Sequence, residues 1–181
     1  CLACSVSDAG NVVDASTSNF GSINLTVGLA VSGSVAVKDV ITTYPAGTFA
    51  GFDINNPVLV GVNVLNGLTV QTYLNGVLVE TSNAGTLVSV GSGLLTGSGR
   101  QVVGFVATQP FNTIRLTVSQ GLALNLGTTE VYKAVLEQFC AGPDPLCNVV
   151  TSLVKPTYPV FINNTNTGID GILCVGCAIN D

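Results

Sequence analysis

Apolar and polar residues alternate along most of this chain with the two-residue period of a β-strand. Ile23, Leu25, Val27, Leu29 and Val31 alternate with Asn24, Thr26, Gly28 and Ala30, which predicts one half-buried strand. Ser32-Gly33 punctuates it, and a second short strand is expected through Val35 and Val37. Phe49, Phe52 and Ile54 precede the turn signal Asn55-Asn56-Pro57, after which Val58, Val60, Val62 and Val64 alternate again. Asn75-Gly76 lies between the alternating runs Leu68–Leu74 and Val77–Thr81. That dipeptide is a strong hairpin signal, because a type I′ turn needs positive φ at both central residues.

Further strands are expected at Thr86–Val90, Gln101–Ala107, Thr113–Val118 and Leu122–Leu126. In the third of these, Ile114, Leu116 and Val118 should point inward and Arg115 outward. Val131 to Phe139 reads either way: Tyr132, Ala134 and Leu136 alternate, while Val131, Val135 and Phe139 fall at helical spacing. Many short strands separated by Gly, Asn and Ser turns predict an all-β sandwich of jelly-roll or immunoglobulin-like type over residues 1–140. The texture changes beyond Cys140, where Pro143, Pro145, Pro156 and Pro159 disfavour central strands. Residues 141–173 are expected to form an extended connector. Within it Tyr158, Val160, Phe161, Ile162 and Asn163 are apolar enough to lie as an edge strand against a neighbouring module.

The ends of the chain match one another. Cys1-Leu2-Ala3-Cys4-Ser5-Val6-Ser7-Asp8 returns as Cys174-Val175-Gly176-Cys177-Ala178-Ile179-Asn180-Asp181. The chain therefore reads as one repeat plus the opening of the next, at residues 174–181. The 6 cysteines fall in close pairs, Cys1 with Cys4, Cys140 with Cys147, and Cys174 with Cys177. In an extracellular setting they are disulfide candidates, with the connectivity open. A structural zinc is the lesser reading, since C-x-x-C half-sites usually lie much closer together and the chain has no His. A redox C-x-x-C is disfavoured too, because nothing here reads as a βαβ unit.

The combination C-x-x-C-S-V, then N-V-V-D, then Y-P-V-F-I-N-N-T-N-T-G-I-D-G-I-L-C-V-G-C resembles tandem modules in large secreted surface proteins of Bacteroidota. The likeness covers both ends and the stretch Phe111-Asn112-Thr113-Ile114-Arg115-Leu116; the middle is similar in texture only. It implies export, display outside the cell and an adhesin-like or fibrous array. After Asp14 such modules often continue Gly-Asp, whereas this chain has Ala15-Ser16.

Composition narrows the chemistry. Charged residues make up 8% of the chain, the formal net charge is −5, and Lys and Arg number 5, which argues against nucleic acid as a partner. No apolar run reaches the ~18 residues of a membrane span. The chain lacks Met, so a mature product or an excised segment is expected; a first-position Cys also suits a lipid anchor, but the repeat at Cys174 explains more residues. Without His there is no Ser-His-Asp or Cys-His set, and the carboxylates are scattered, so a non-enzyme is expected. No cofactor is expected beyond Ca²⁺, for which Asn11, Asp14 and Asn19 supply hard oxygen ligands in one loop. The same residues also build turns unaided.

The resulting expectation is a structural repeat unit of an extracellular filament or surface stalk, self-associating end to end. The alternative is a carbohydrate-binding module with glycan or matrix contacts. The absence of Trp and the presence of only 4 Tyr, of which Tyr44 beside Pro45 alone reads as placed on a loop, weigh against it.

Overall fold

The structure is a computed structural model of the chain that describes residues 4–25, 31–57, 67–82, 87–90, 100–120, 127–139, 142–155, 157, 158 and 160. The strands are β1 (Cys4–Ser7), β2 (Gly21–Leu25), β3 (Val31–Lys38), β4 (Thr48–Asn55), β5 (Leu68–Leu74), β6 (Val77–Thr81), β7 (Val88–Val90), β8 (Arg100–Val106), β9 (Thr113–Gln120) and β10 (Gly127–Gln138). A 3-10 helix, Ala9–Val13, lies between β1 and β2, and there is no α-helix among the described residues. All pairings are antiparallel. They build a six-stranded sheet in the order β1-β2-β10-β4-β8-β7 and a four-stranded sheet in the order β3-β9-β5-β6.

The topology follows from a single turn. Asn75 (φ 52°) and Gly76 (φ 87°) both take positive φ, as a type I′ hairpin requires, and they join β5 to β6. Leu74 faces Val77 across that turn, Phe49 faces Val106, Val31 faces Gln120 and Leu25 faces Gly127. Each pair brackets Asn75-Gly76 almost symmetrically, so the chain is one long hairpin rolled up around its tip. With β1 and β7 set aside as extensions at the two sheet edges, β2-β10-β4-β8 faces β3-β9-β5-β6. That interleaving is a jelly roll, one of the two sandwich types expected.

The core lies between the sheets. Ile23, Ala50, Phe52, Ile54, Val103, Phe105 and Val131 from the larger sheet meet Val35, Leu68, Val70, Ile114, Leu116 and Val118 from the smaller one. Ile114, Leu116 and Val118 do point inward, with Arg115 half-buried on the other face. The ambiguous stretch is strand from Val131 to Gln138, within β10, with an irregularity in register between Val131 and Lys133.

Two expectations need correction. Ile23 to Val31 is not one strand. Leu25 ends β2 in the six-stranded sheet and Val31 begins β3 in the other, so the alternation runs across a change of sheet, with residues 26–30 outside those described. Ser32-Gly33 is not a break either: Gly33 pairs with Val118 inside β3. A Cβ there would stand 2.5 Å from Ile23 Cγ2, so glycine lets the two sheets approach at that point. The strands expected at Val58–Val64 and Leu122–Leu126 lie outside the described residues.

Candidate functional site

At one end of the sandwich the two sheets part around a groove of about 520 Å³. Its floor is apolar: Val12 from the 3-10 helix, Val37 from β3, Ile114 from β9, Ala134 and Leu136 from β10, with Tyr44 and Phe111 closing one side. Lys38, Asp39, Asp14 and Lys133 stand around the floor.

The loop from Asp39 to Pro45 forms the lip. The Asp39 N–H donates to the Asn112 carbonyl at 2.9 Å, and its Oδ1 accepts the backbone N–H groups of Ile41 and Thr42, each at 2.9 Å. Its Oδ2 accepts the Tyr44 hydroxyl at 2.6 Å. Tyr44 and Phe111 exchange both backbone hydrogen bonds, 2.7 and 3.0 Å, and their rings lie 5.5 Å apart. An aspartate bonding its own backbone two and three residues on fixes a turn locally. The Tyr44 hydroxyl, followed by the Thr42 and Ile41 N–H groups, holds the Asp39 carboxyl well below the usual carboxylate range, and Asp39 in turn raises the Tyr44 phenol.

With those polar groups occupied, the lip presents apolar side chains to solvent. Val40 is 83% exposed and Ile41 91%, and Val13 and Leu136 beside them are exposed too. A pinned turn that directs its hydrogen bonds inward and its valine and isoleucine outward reverses the usual loop pattern.

The loop proposed to hold Ca²⁺ lies at the same end. Asn19 donates to Asp14 Oδ2 at 2.6 Å and the Ser16 N–H to Asp14 Oδ1 at 2.9 Å. Asn11 uses its side-chain amide on the Phe20 carbonyl. Lys133 reaches in from β10, its Nζ 2.8 Å from Asp14 Oδ1 and 2.5 Å from the Asn11 carbonyl. That ammonium, and then the Asn19 amide, lower the Asp14 carboxyl. The three predicted residues are brought together, but a protein cation stands at the carboxylate where a metal ion would bind. Among the described residues no group of three or more Cys, Asp or Glu side chains converges.

On the outer face of the larger sheet, Arg100 forms a fork with Asp53 (2.7 to 3.0 Å) and lies 3.9 Å over the Tyr132 ring. Phe20 packs 5.4 Å from that ring, and the Tyr132 hydroxyl donates to Glu130. Each of the 4 tyrosines therefore has work inside the chain: Tyr73 bonds Gln71, and Tyr158 bonds the Pro143 carbonyl with its ring against Gly142.

Among the cysteines, Cys4 opens β1 half-buried against the core and is disulfide-bonded. Cys147, one of the disulfide candidates, is exposed with a free thiol. Cys1, Cys140, Cys174 and Cys177 lie outside the described residues. In the expected inter-module strand, Tyr158 and Val160 belong to no strand. The Tyr158 N–H donates back to the Val154 carbonyl and the Val160 N–H to that of Tyr158, which is turn geometry; Phe161, Ile162 and Asn163 lie outside the described residues. Between Gly142 and Lys155 the connector exposes Leu146, Val149, Val150 and Leu153.

Of the lip residues, Tyr44 beside Pro45 reads as loop in the sequence, but Asp39, Val40, Ile41 and Thr42 were missed. Lys38-Asp39-Val40-Ile41-Thr42 continues the apolar texture of β3, and only Asp39 followed by Thr42 and Tyr44 hints at a turn. Nothing local links Lys133 to Asp14.

No protein-family model matches the chain, and no curated protein and no solved structure matches it significantly. Among the described residues no helix is long and apolar enough to cross a membrane.

Proposed function

We propose that this chain is a structural unit of an extracellular filament or surface stalk that associates end to end with copies of itself. The observation that carries this reading is the lip, where Val40 and Ile41 are held outward on a turn whose own hydrogen bonds are complete. Holding large apolar side chains in water is unfavourable, and burying them against a partner recovers on the order of 25 cal/mol per Å². A rigid lip also has little conformational entropy to lose on association. The site offers adhesion rather than chemistry: the Asp14 carboxylate is engaged by Lys133 and Asn19, and that of Asp39 by Tyr44 and two backbone N–H groups. The extracellular setting rests on the low charge and the paired cysteines of the sequence.

The carbohydrate-binding alternative draws on the groove itself. It is weakened because the Tyr132 ring lies under Arg100 and against Phe20 and the Tyr44 ring packs on Phe111, whereas sugar sites usually present a free aromatic face.

Sedimentation velocity of the full chain over a wide concentration range tests the reading, together with electron microscopy of the same material. Linear multimers with one module per axial repeat are expected. A monodisperse monomer at every concentration would sink it, and specific glycan-array binding by that monomer would favour the alternative.

A further inference from the structure

Resting on the self-association reading, we infer that residues 174–181 of one copy take the place of β1 on β2 of the next copy. The chain holds two versions of one eight-residue segment, at 1–8 and 174–181. The structure shows what the first version does. Cys4, Ser5, Val6 and Ser7 pair antiparallel with Leu25, Asn24, Ile23 and Ser22, which makes β1 the outermost strand on its side of the six-stranded sheet. Cys4 packs against the core, and Val6 Cγ2 would lie 3.7 Å from a Cβ on Gly33 of the facing sheet. Positions 4 and 6 therefore face inward, and Ser5 and Ser7 lie exposed on the other side.

The second version meets the same demands at the same positions. Cys177 stands for Cys4 and Ile179 for Val6, so the inward positions stay apolar. Ala178 and Asn180 replace Ser5 and Ser7 on the outer side, and neither is bulky. Val6 is 46% exposed, so the one extra methylene of Ile179 finds room without overpacking. Asp181 stands for Asp8, which follows β1 at φ 52° with its carbonyl accepting the Asn11 N–H at 2.9 Å. Asp tolerates that left-handed region better than most residues. The period of two fixes the register of the fit, since a slip of one residue would turn Cys177 and Ile179 outward.

The place on β2 can be vacated. β1 has 4 residues, 3 of them exposed, and pairs only with β2. β2 is also paired with β10 and buries Ile23 and Leu25. It therefore presents one ladder edge that a strand has to cover. Within one chain a tethered β1 competes at an effective concentration in the mM range, so exchange gains weight where copies are crowded. Each copy offers one β2 place and one second segment. The contact is heterologous, and copies add in a line without closing.

The test compares the native full-length chain with two proline pairs by sedimentation velocity over a wide concentration range. The N–H groups of consecutive strand residues point to opposite sides, so two adjacent prolines remove a donor toward β2 in either phase. Ala178→Pro with Ile179→Pro spoils the second segment. It should leave the denaturation midpoint unchanged and weaken association roughly tenfold, the effect of one lost backbone hydrogen bond. Ser5→Pro with Val6→Pro frees the place on β2 and should strengthen association into linear multimers by roughly the same factor. All four substitutions together should give monomers. If the 178/179 variant associates like the native chain, the inference is overturned while self-association stands, and that comparison decides even where the 5/6 variant fails to fold. A folded 5/6 variant that associates no better than the native chain, or multimers that persist with all four substitutions, would overturn it as well. If neither the native chain nor the 5/6 variant associates, the self-association reading falls and the inference with it.

Discussion

Phe52 on β4 and Val150 in the connector are both apolar side chains in apolar surroundings along the sequence, yet Phe52 is 0% exposed and Val150 98%. The difference lies in what the backbone can do around each. β4 is paired on both sides, with β10 and β8, and the other sheet lies across its inner face. The connector has prolines where a ladder needs donors, and a tyrosine closes it on itself instead of on the sandwich. In the sandwich, apolar residues answer one another within the chain. In the connector and on the lip they stay exposed, with no such answer among the described residues.

The largest expected effect tests that contrast directly. Phe52→Ala removes a fully buried ring and should cost about 3–5 kcal/mol in chemical denaturation, whereas Val150→Ala should stay within about 0.5 kcal/mol. Comparable losses from both would mean that the connector is packed against the sandwich after all, and the division between the two regions would fail.

A somewhat smaller effect is expected on the outer face of the larger sheet. Gly51 and Gly104 face each other across β4 and β8, and the fully buried Phe49 ring lies over both. A Cβ on Gly104 would stand 2.3 Å from the Ala50 carbonyl oxygen and 2.6 Å from the Gly51 Cα, backbone atoms with no rotamer to change. Gly104→Val should therefore cost about 1–3 kcal/mol or more, despite adding β-branched bulk to a strand. A Cβ on Gly10 would meet nothing within 4 Å, so Gly10→Ala is the matched control. Equal stability of the two variants by denaturant melt would show that the sheet pair opens more easily than its packing implies.

The sandwich was legible because its signals are local and agree. Period-2 alternation marked the strands, and Asn75-Gly76 supplied the one turn around which the whole hairpin rolls. The error at Ile23–Val31 has a physical cause: alternation reports which residues face inward, and it stays in phase when the chain crosses from one sheet to the other. Gly33 misled for a related reason, since a glycine required by close approach of Ile23 looks in sequence like a glycine required by a turn. The site was largely illegible. Lys133 answers Asp14 only through the fold, and the exposure of Val40 and Ile41 depends on Asp39 capturing Tyr44 and two backbone N–H groups, which composition does not reveal.

The smallest effect concerns the rigidity of the lip, the feature that separates it from the connector's own turn. The Tyr44–Asp39 hydrogen bond should show itself as a pH window. The Asp39 carboxyl is held below its unfolded value, so its contribution is present above about pH 4 and is lost as pH falls further. The Tyr44 phenol is raised, so its contribution is present below about pH 10 and is lost as pH rises through the folded value. Tyr44→Phe removes the second contribution and part of the first, because the Ile41 and Thr42 N–H groups still hold the carboxylate. The stability difference between native chain and variant should form a plateau from roughly pH 5 to pH 9 and narrow on both sides. Denaturant midpoints measured across that range check it. A difference that stays constant from acid to alkali would mean the pair contributes no charge-dependent stability, and the lip would then owe its shape to the Tyr44–Phe111 backbone bridge and the backbone N–H groups that Asp39 holds.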